Sequence, residues 1–181
     1  DRLGIAAWNT TALEGSLLQM VNHGITTGAL FALIGMIDTR AHTREISNLG
    51  GLWSKAPVLG AFFLFFALAS LGLPGLNNFA GEILILIGTF ASHPLWAVLG
   101  LAGVLFAAIY MLRLVQGVLW GQPHSLRDWP DISWRETIIL VPLALLVLWL
   151  GLYPHPFLEV LRDPVQRLLL GTSLICLGGL P

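Results

Sequence analysis

Residues 57–91 read PVLGAFFLFFALASLGLPGLNNFAGEILILIGTFA, two apolar runs separated by Leu73-Pro74-Gly75-Leu76-Asn77-Asn78. The first run, Pro57 to Leu73, is apolar all round and carries Phe62, Phe63, Phe65 and Phe66. The second, Phe79 to Ala91, is too short to span alone, because a spanning helix needs about 20 mostly apolar residues. Together the pieces exceed one straight span. The economical reading is a single span broken inside the membrane; the alternative is two short helices joined by a tight turn. Pro74 has no N–H to give and Gly75 tolerates unusual dihedrals. Asn77 or Asn78 is placed to cap the N-terminus of the second piece. Irregular backbone at membrane depth survives only where protein or a water-filled cavity covers it. Broken helices recur at ion sites in transporters.

The composition around this stretch agrees. Of 181 residues, 56% are apolar and 10% are charged, with a mean hydropathy of +0.80. A soluble domain carries about 25% charged residues. The composition therefore excludes a lone water-soluble enzyme and a disordered chain. A net charge of −1 offers no footprint for nucleic acid. The single cysteine, Cys176, excludes an internal disulfide, a CxxC pair, and an iron–sulfur or cysteine zinc site held by this chain alone.

Working outward, Ser16 to Ile37 reads as a span, followed by the polar loop Asp38 to Lys55. Leu95 to Leu119 and Thr137 to Leu152 read as two more, with Trp134, Trp149 and Tyr153 as interfacial anchors. After Pro156 the apolar residues Phe157, Val160, Leu161, Val165, Leu168 and Leu169 recur at helical spacing among charges, the pattern of an interfacial helix kinked at Pro164. The expected fold is an all-α, polytopic transmembrane bundle of four spans. Residues 1–15 lead in. The bundle covers 16–152, with spans near 16–37, 57–91 (broken near 73–78), 95–119 and 137–152. Residues 153–181 form an interfacial tail. The opening residues carry no signal-peptide pattern, and the chain reads as a processed form or a piece of something longer. Loops 38–56 and 120–136 carry Arg40, Arg44, Lys55, Arg127 and Arg135. The opposite side carries Arg2, Arg162 and Arg167. The positive-inside rule places the two longer loops in the cytoplasm or its equivalent.

Glu82 is the sharpest functional signal. An ionisable group inside an apolar half-helix is costly and points to function. Burial disfavours its charge and the positive N-terminal end of the half-helix favours it, opposing pulls that suit a proton carrier. The alternative is a carboxylate that only steadies the helix start or pairs with a neighbour. His23 lies in the first span, in Gln19-Met20-Val21-Asn22-His23-Gly24. Histidine can pass protons near neutral pH; its plainer reading is packing against Thr26, Thr27 or a carbonyl. Gln19, Asn22, His23 and Thr26 are spaced to form a polar stripe on one helix face. Such a stripe can hold water for a proton path or glue helices together. His42, His93, His124 and His155 fall in loops or beside proline and show no metal spacing. No GxGxxG, P-loop, cysteine cluster or nucleophile elbow is present, so the chain offers no dinucleotide, electron-carrier, cofactor or metal site.

The order of motifs resembles a known family. Leu18-Gln19-Met20-Val21-Asn22-His23-Gly24 precedes Ala29-Leu30-Phe31, His42-Thr43-Arg44-Glu45-Ile46 and Gly50-Gly51-Leu52. Then come Ala69-Ser70-Leu71-Gly72-Leu73-Pro74-Gly75, Asn78-Phe79-Ala80-Gly81-Glu82 and Leu150-Gly151-Leu152-Tyr153-Pro154. Over roughly residues 14–160 this is similar to the subunit M (chain 4-type) antiporter-like membrane subunits of proton-pumping NADH:quinone oxidoreductase, respiratory complex I. The resemblance implies a fourteen-helix fold of which this chain supplies the last four helices, without a complete channel. It implies a discontinuous helix at Pro57–Ala91, with Pro74, Gly75 and Asn78 at the break. Glu82 would stand at the terminal proton site and His23 on the polar axis, supported by Gln19, Asn22 and Thr26. NADH, FMN, iron–sulfur clusters and quinone are expected in other subunits, and the partners are other membrane-arm subunits and the lipid bilayer. The implied setting is a bacterial plasma membrane, with thylakoid and mitochondrial inner membranes as alternatives. Multi-subunit sodium/proton antiporters and membrane-bound hydrogenases share the ancestry and give the second reading. A module that anchors or assembles without an ion path is the third.

Overall fold

The computed structural model describes residues 2–43, 45–122 and 130–178. The regular structure among those residues is helical, with no strand. A short α1 (Arg2–Ala7) precedes the long α2 (Thr10–Ala41). Two single turns follow, α3 (Ile46–Leu49) and α4 (Leu52–Lys55), then α5 (Pro57–Ser70) and α6 (Asn77–Ser92). The chain continues through α7 (Pro94–Trp120), α8 (Trp134–Leu152) and α9 (His155–Gly178). Among the described residues three helices, α2, α7 and α8, are long and apolar enough to cross a membrane. Their outer faces carry large apolar side chains: Phe31, Leu152 and Phe106 are all about 70% exposed, a surface suited to lipid rather than water.

Local rules set the helix ends. Pro57 and Pro94 occupy first helical positions, where a missing N–H costs nothing. Ser133 and Glu136 close a reciprocal capping box at the start of α8. Asn9 caps α2 through the Ala12 N–H at 2.8 Å. Its amide also donates to the Gly88 carbonyl and the Ser92 hydroxyl, pinning the start of α2 to the end of α6.

The break is built from two standard motifs in sequence. Gly72, at φ +68, ends α5, with its N–H on the Ala69 carbonyl and the Leu73 N–H on the Leu68 carbonyl. This is a Schellman cap. Leu73 to Leu76 then form a type II turn, with Pro74 at the second position, Gly75 at φ +92 in the third, and the Leu76 N–H on the Leu73 carbonyl at 3.0 Å. Gly151 of α8 lies so close over Gly75 and Leu76 that a Cβ there would collide with their backbone. Protein therefore covers the irregular stretch.

Neither asparagine caps α6, contrary to the local expectation. The cap is Leu76, in extended conformation and with no side-chain bond. Asn77 and Asn78 are the first helical residues, and both side chains are drawn away by tertiary partners.

The halves lie end to end along α2. The first part of α2 packs on α6, with Ala12 against Gly88 and Gly15 against Leu84 and Ile85. Its later residues Ala29, Leu33 and Ile37 join the apolar core with Leu59, Phe63 and Phe66 of α5. At that far end Arg40 ties the bundle together. It donates to the carbonyls of Met36, Pro130 and Asp131 and forms a two-pronged pair with Glu136, both contacts 2.8 Å. The Asp131 carboxylate accepts the N–H groups of Val58, Leu59 and Ile132, capping α5. Burial alone would raise the Asp131 carboxyl. The N–H groups of Val58, Ile132 and Leu59, with the Arg40 charge, outweigh it and hold the group below its ordinary value.

Candidate functional site

The site lies where α2 crosses the start of α6. Small residues permit the approach: a Cβ on Gly81 would collide with the Gln19 side chain, and one on Gly15 with α6. Along α2 the buried polar residues Ser16, Gln19, Asn22 and Thr26 recur at spacings of three, three and four. These are neighbours on one helix flank.

Each of the lower three meets α6. Asn22 Nδ2 donates to the Asn77 carbonyl at 2.6 Å, and Asn77 Nδ2 donates to the Asn22 carbonyl at 3.0 Å. Asn77 also shares hydrogen bonds with the Thr26 hydroxyl at 3.1 and 3.2 Å. Gln19 Nε2 donates to Glu82 Oε1 at 3.4 Å. Asn78 Nδ2 donates to the Ala69 carbonyl at 2.9 Å, so it bridges the two half-helices.

Glu82 is half-buried one turn inside α6. Its carboxylate folds back onto Gly72, where any side chain would overlap it. Glycine at 72 thus serves twice, supplying a positive φ and leaving room for the acid. Around the break, Gln19 Oε1, Asn22 Oδ1 and Asn78 Oδ1 are buried without hydrogen-bond partners. Buried acceptors of this kind are ordinarily satisfied by water.

His23 does not join the stripe. It is exposed, its ring lying 3.3–3.4 Å from the Thr27 hydroxyl. One residue past Asn22 is a rotation of about 100° around a helix, and α6 covers only the Asn22 flank. The stripe therefore comprises Ser16, Gln19, Asn22 and Thr26. Pro74 and Gly75 sit in the turn beside it, and Asn78 spans the break. Sequence reasoning missed Asn77 as the central clasp and Ser16 as the upper rung. The spacing from Gln19 back to Ser16 was the available signal. It also passed over Glu14, which is buried in the first turns of α2 with Arg162 of α9 at 3.7 Å.

The family described as NADH:quinone oxidoreductase/Mrp antiporter, transmembrane, matches residues 3–109. The chain belongs to this family. It is 40% identical over 179 residues to NADH-quinone oxidoreductase subunit M of Pseudomonas aeruginosa, covering 98% of this chain and 35% of that protein. It is 38% identical over 169 residues to subunit M of Escherichia coli K12, covering 92% of this chain and 33% of that one. A chain of respiratory complex I from Thermus thermophilus with bound NADH superposes with a TM-score of 0.84 at 33% identity, over 92% of this chain and 36% of that chain. A chain of the Mrp complex from Dietzia sp. DQ12-45-1b gives 0.81 at 21% identity, over 95% and 40%, a likeness of fold. The chain spans about a third of the length of the curated relatives it matches. As a member of the oxidoreductase/antiporter family it is an integral membrane protein, and its motifs carry the resemblance read from the sequence.

Proposed function

We propose that this chain is part of a proton-translocating membrane subunit of NADH:quinone oxidoreductase. It would couple electron transfer in other subunits to proton movement and itself hold no redox group. The observation that carries this reading is Glu82: an acid in an apolar half-helix, one turn beyond a break, hydrogen-bonded to Gln19, whose own Oε1 is buried and unpartnered. An intramembrane carboxylate flanked by water-binding groups can take up and release a proton where a fully packed one cannot. Gln19 holds the carboxylate on the polar ladder. Asn22, Asn77 and Thr26 fix the break beside it, and Pro74, Gly75 and Asn78 shape that break. His23, on the exposed flank of α2, would link the ladder to polar groups beyond this chain. The identity to subunit M proteins supports the complex I setting, with other membrane-arm subunits as partners and a bacterial plasma membrane as location.

The test is Glu82→Gln in the assembled complex, with protons moved per NADH oxidised measured in inverted membrane vesicles. Normal assembly on a native gel with a lowered ratio is expected. An assembled variant that pumps at the unmodified ratio overturns the role of Glu82. The Mrp-like fold supports a second reading, a subunit of a sodium/proton antiporter. Sodium-dependent proton movement without NADH oxidation would select it.

A further inference from the structure

Helix α7 carries a cation that the fold does not use. Arg113 is exposed, and among the described residues it has no ion pair, hydrogen bond or ring contact. An arginine with no partner in a membrane helix is costly and points to one outside the chain. Its depth narrows the choice. From Leu95 to Ile109 the outward side chains of α7 are apolar, with Leu95, Leu105 and Phe106 the most exposed. Tyr110 and Arg113 end that run. The helix rises about 27 Å from Leu95 to Arg113, against a hydrocarbon core of about 30 Å. Tyr110 then stands in the aromatic belt and Arg113 at the level of the lipid phosphates, with Trp120 about 10 Å further out.

A groove of about 470 Å³ opens beside this cation, between α2, α3, α5 and α7. Ile37, Phe63 and Val118 form its buried floor, and Phe31, Ile34 and Ile46 its exposed rim. Leu114, the residue after Arg113, lines it. Gly117, one turn beyond Arg113, lies so near α3 that a Cβ there would stand 3.0 Å from Ile46. Arg113 therefore belongs to the α3 end of the groove. Phe31 marks the deeper end, about 9 Å along α2 from Ile37. Gly35 keeps the groove open, since a Cβ at that position meets nothing within 4 Å. An exposed apolar surface of this kind marks a place where something binds.

We propose that Arg113 and this groove form a binding site for an anionic phospholipid. The guanidinium holds the phosphate, and one acyl chain lies along the groove toward Phe31. Charge complementarity selects the occupant. The groove's lining has no ionisable side chain, so the one uncompensated charge beside it calls for an anion, and its depth is that of a headgroup. Arginine suits a phosphate because its planar fork donates to two oxygens at once. Basic sites between membrane helices recognise anionic headgroups by this chemistry. The site lies at the same end of the bundle as Arg40, Asp131 and Glu136, and it stands apart from the proton-carrying reading of Glu82.

The test uses the full complex in nanodiscs of phosphatidylglycerol and phosphatidylcholine, in equal parts and with the same acyl chains. Phe31, on the groove rim, is replaced by the photocrosslinking residue p-benzoylphenylalanine, and adducts on this chain are weighed by mass spectrometry. The same replacement at Phe106, on the outward side of α7, reports bulk lipid. Phosphatidylglycerol adducts should exceed phosphatidylcholine adducts by about fivefold at position 31, the preference given by one cation near the membrane surface. The two should be equal at position 106. Arg113→Gln should bring the ratio at 31 down to that at 106, in a complex that assembles normally on a native gel. Gly35→Leu, which fills the groove where a Cβ meets nothing, should reduce adducts of both lipids at 31. A preference at 31 no greater than at 106, or one that survives Arg113→Gln, overturns the site. Undiminished adducts in Gly35→Leu overturn the seating of a chain in the groove. Cross-links from 31 to polypeptide in place of lipid overturn the proposal as well, by showing that protein covers this face.

Discussion

Asn22 and Asn77 hold each other's backbone: each side-chain amide donates to the other's carbonyl, at 2.6 and 3.0 Å, across the junction of α2 and α6. Both residues are fully buried. Asn77 is the first residue of its helix, so the clasp fixes where α6 begins. Replacing either asparagine by alanine removes one of these bonds, a cost of about 0.5–1.5 kcal/mol for each bond lost. Both bonds run to backbone carbonyls that alanine retains, so Asn22→Ala with Asn77→Ala should destabilise by about the sum of the singles. Thermal midpoints of the purified complex and its variants measure this. Singles that melt with the native protein would contradict the clasp.

Gly72 and Gly75 both adopt positive φ, yet alanine should act differently at each. At Gly75 a methyl group meets only Leu152 Cδ2, at an ordinary 3.9 Å. The cost there is backbone strain, on the order of 1 kcal/mol. At Gly72 a methyl group overlaps the Glu82 carboxylate and displaces it. Gly75→Ala should lower stability with the proton-to-NADH ratio unchanged, whereas Gly72→Ala should lower both. Measuring melting and pumping on the same membranes separates the two.

Asp131 gives the far end of the bundle a pH dependence. Its carboxyl is held below its ordinary value, so the folded state favours the ionised form. The stabilisation is complete above the unfolded value, about 3.9 for aspartate. It fades as pH falls from there through the lower folded value. In melts between pH 7 and pH 3, the advantage of the native chain over Asp131→Asn should stay constant down to about pH 4 and shrink below it. An advantage that grows on acidification would contradict the capping of Val58 and Leu59.

Arg40→Lys is not a conservative change. The guanidinium serves three carbonyls and both oxygens of Glu136, with the arginine side chain 9% exposed. An ammonium cannot reproduce that fork. A loss of about 2–3 kcal/mol is expected, as for broken hydrogen bonds to charged groups. Unchanged melting, or an effect that persists undiminished in Glu136→Gln, would show that the pair does not carry it.

Much of this was legible along the chain. Two apolar runs around Pro74-Gly75 specify a break, because those residues encode a turn wherever they stand. Glu82 stood out because an acid among leucines and isoleucines has no cheap structural reason to be there. The polar stripe was legible from spacing, but its flank was not. Asn22 and His23 are neighbours in sequence, and only the packing of α6 decides which is buried. The asparagine caps failed for a related reason, since local rules do not know that Asn22, Thr26 and Ala69 compete for the same amides. Arg40 announced a charge at a helix end. Its partner Glu136 lies 96 residues away, beyond the reach of any local pattern.

The two asparagine contacts on α2 have a mechanical consequence. Asn9 holds the outer end of α6, and Asn22 holds its inner end. Helix α6 is thereby riveted to an unbroken rod at both extremities, and α5 is packed on the far half of the same rod through Leu59, Phe63 and Phe66. One continuous helix thus sets the alignment of both pieces of the broken one, and the placing of Gly72 against Glu82 is fixed by α2 rather than by the short link between them.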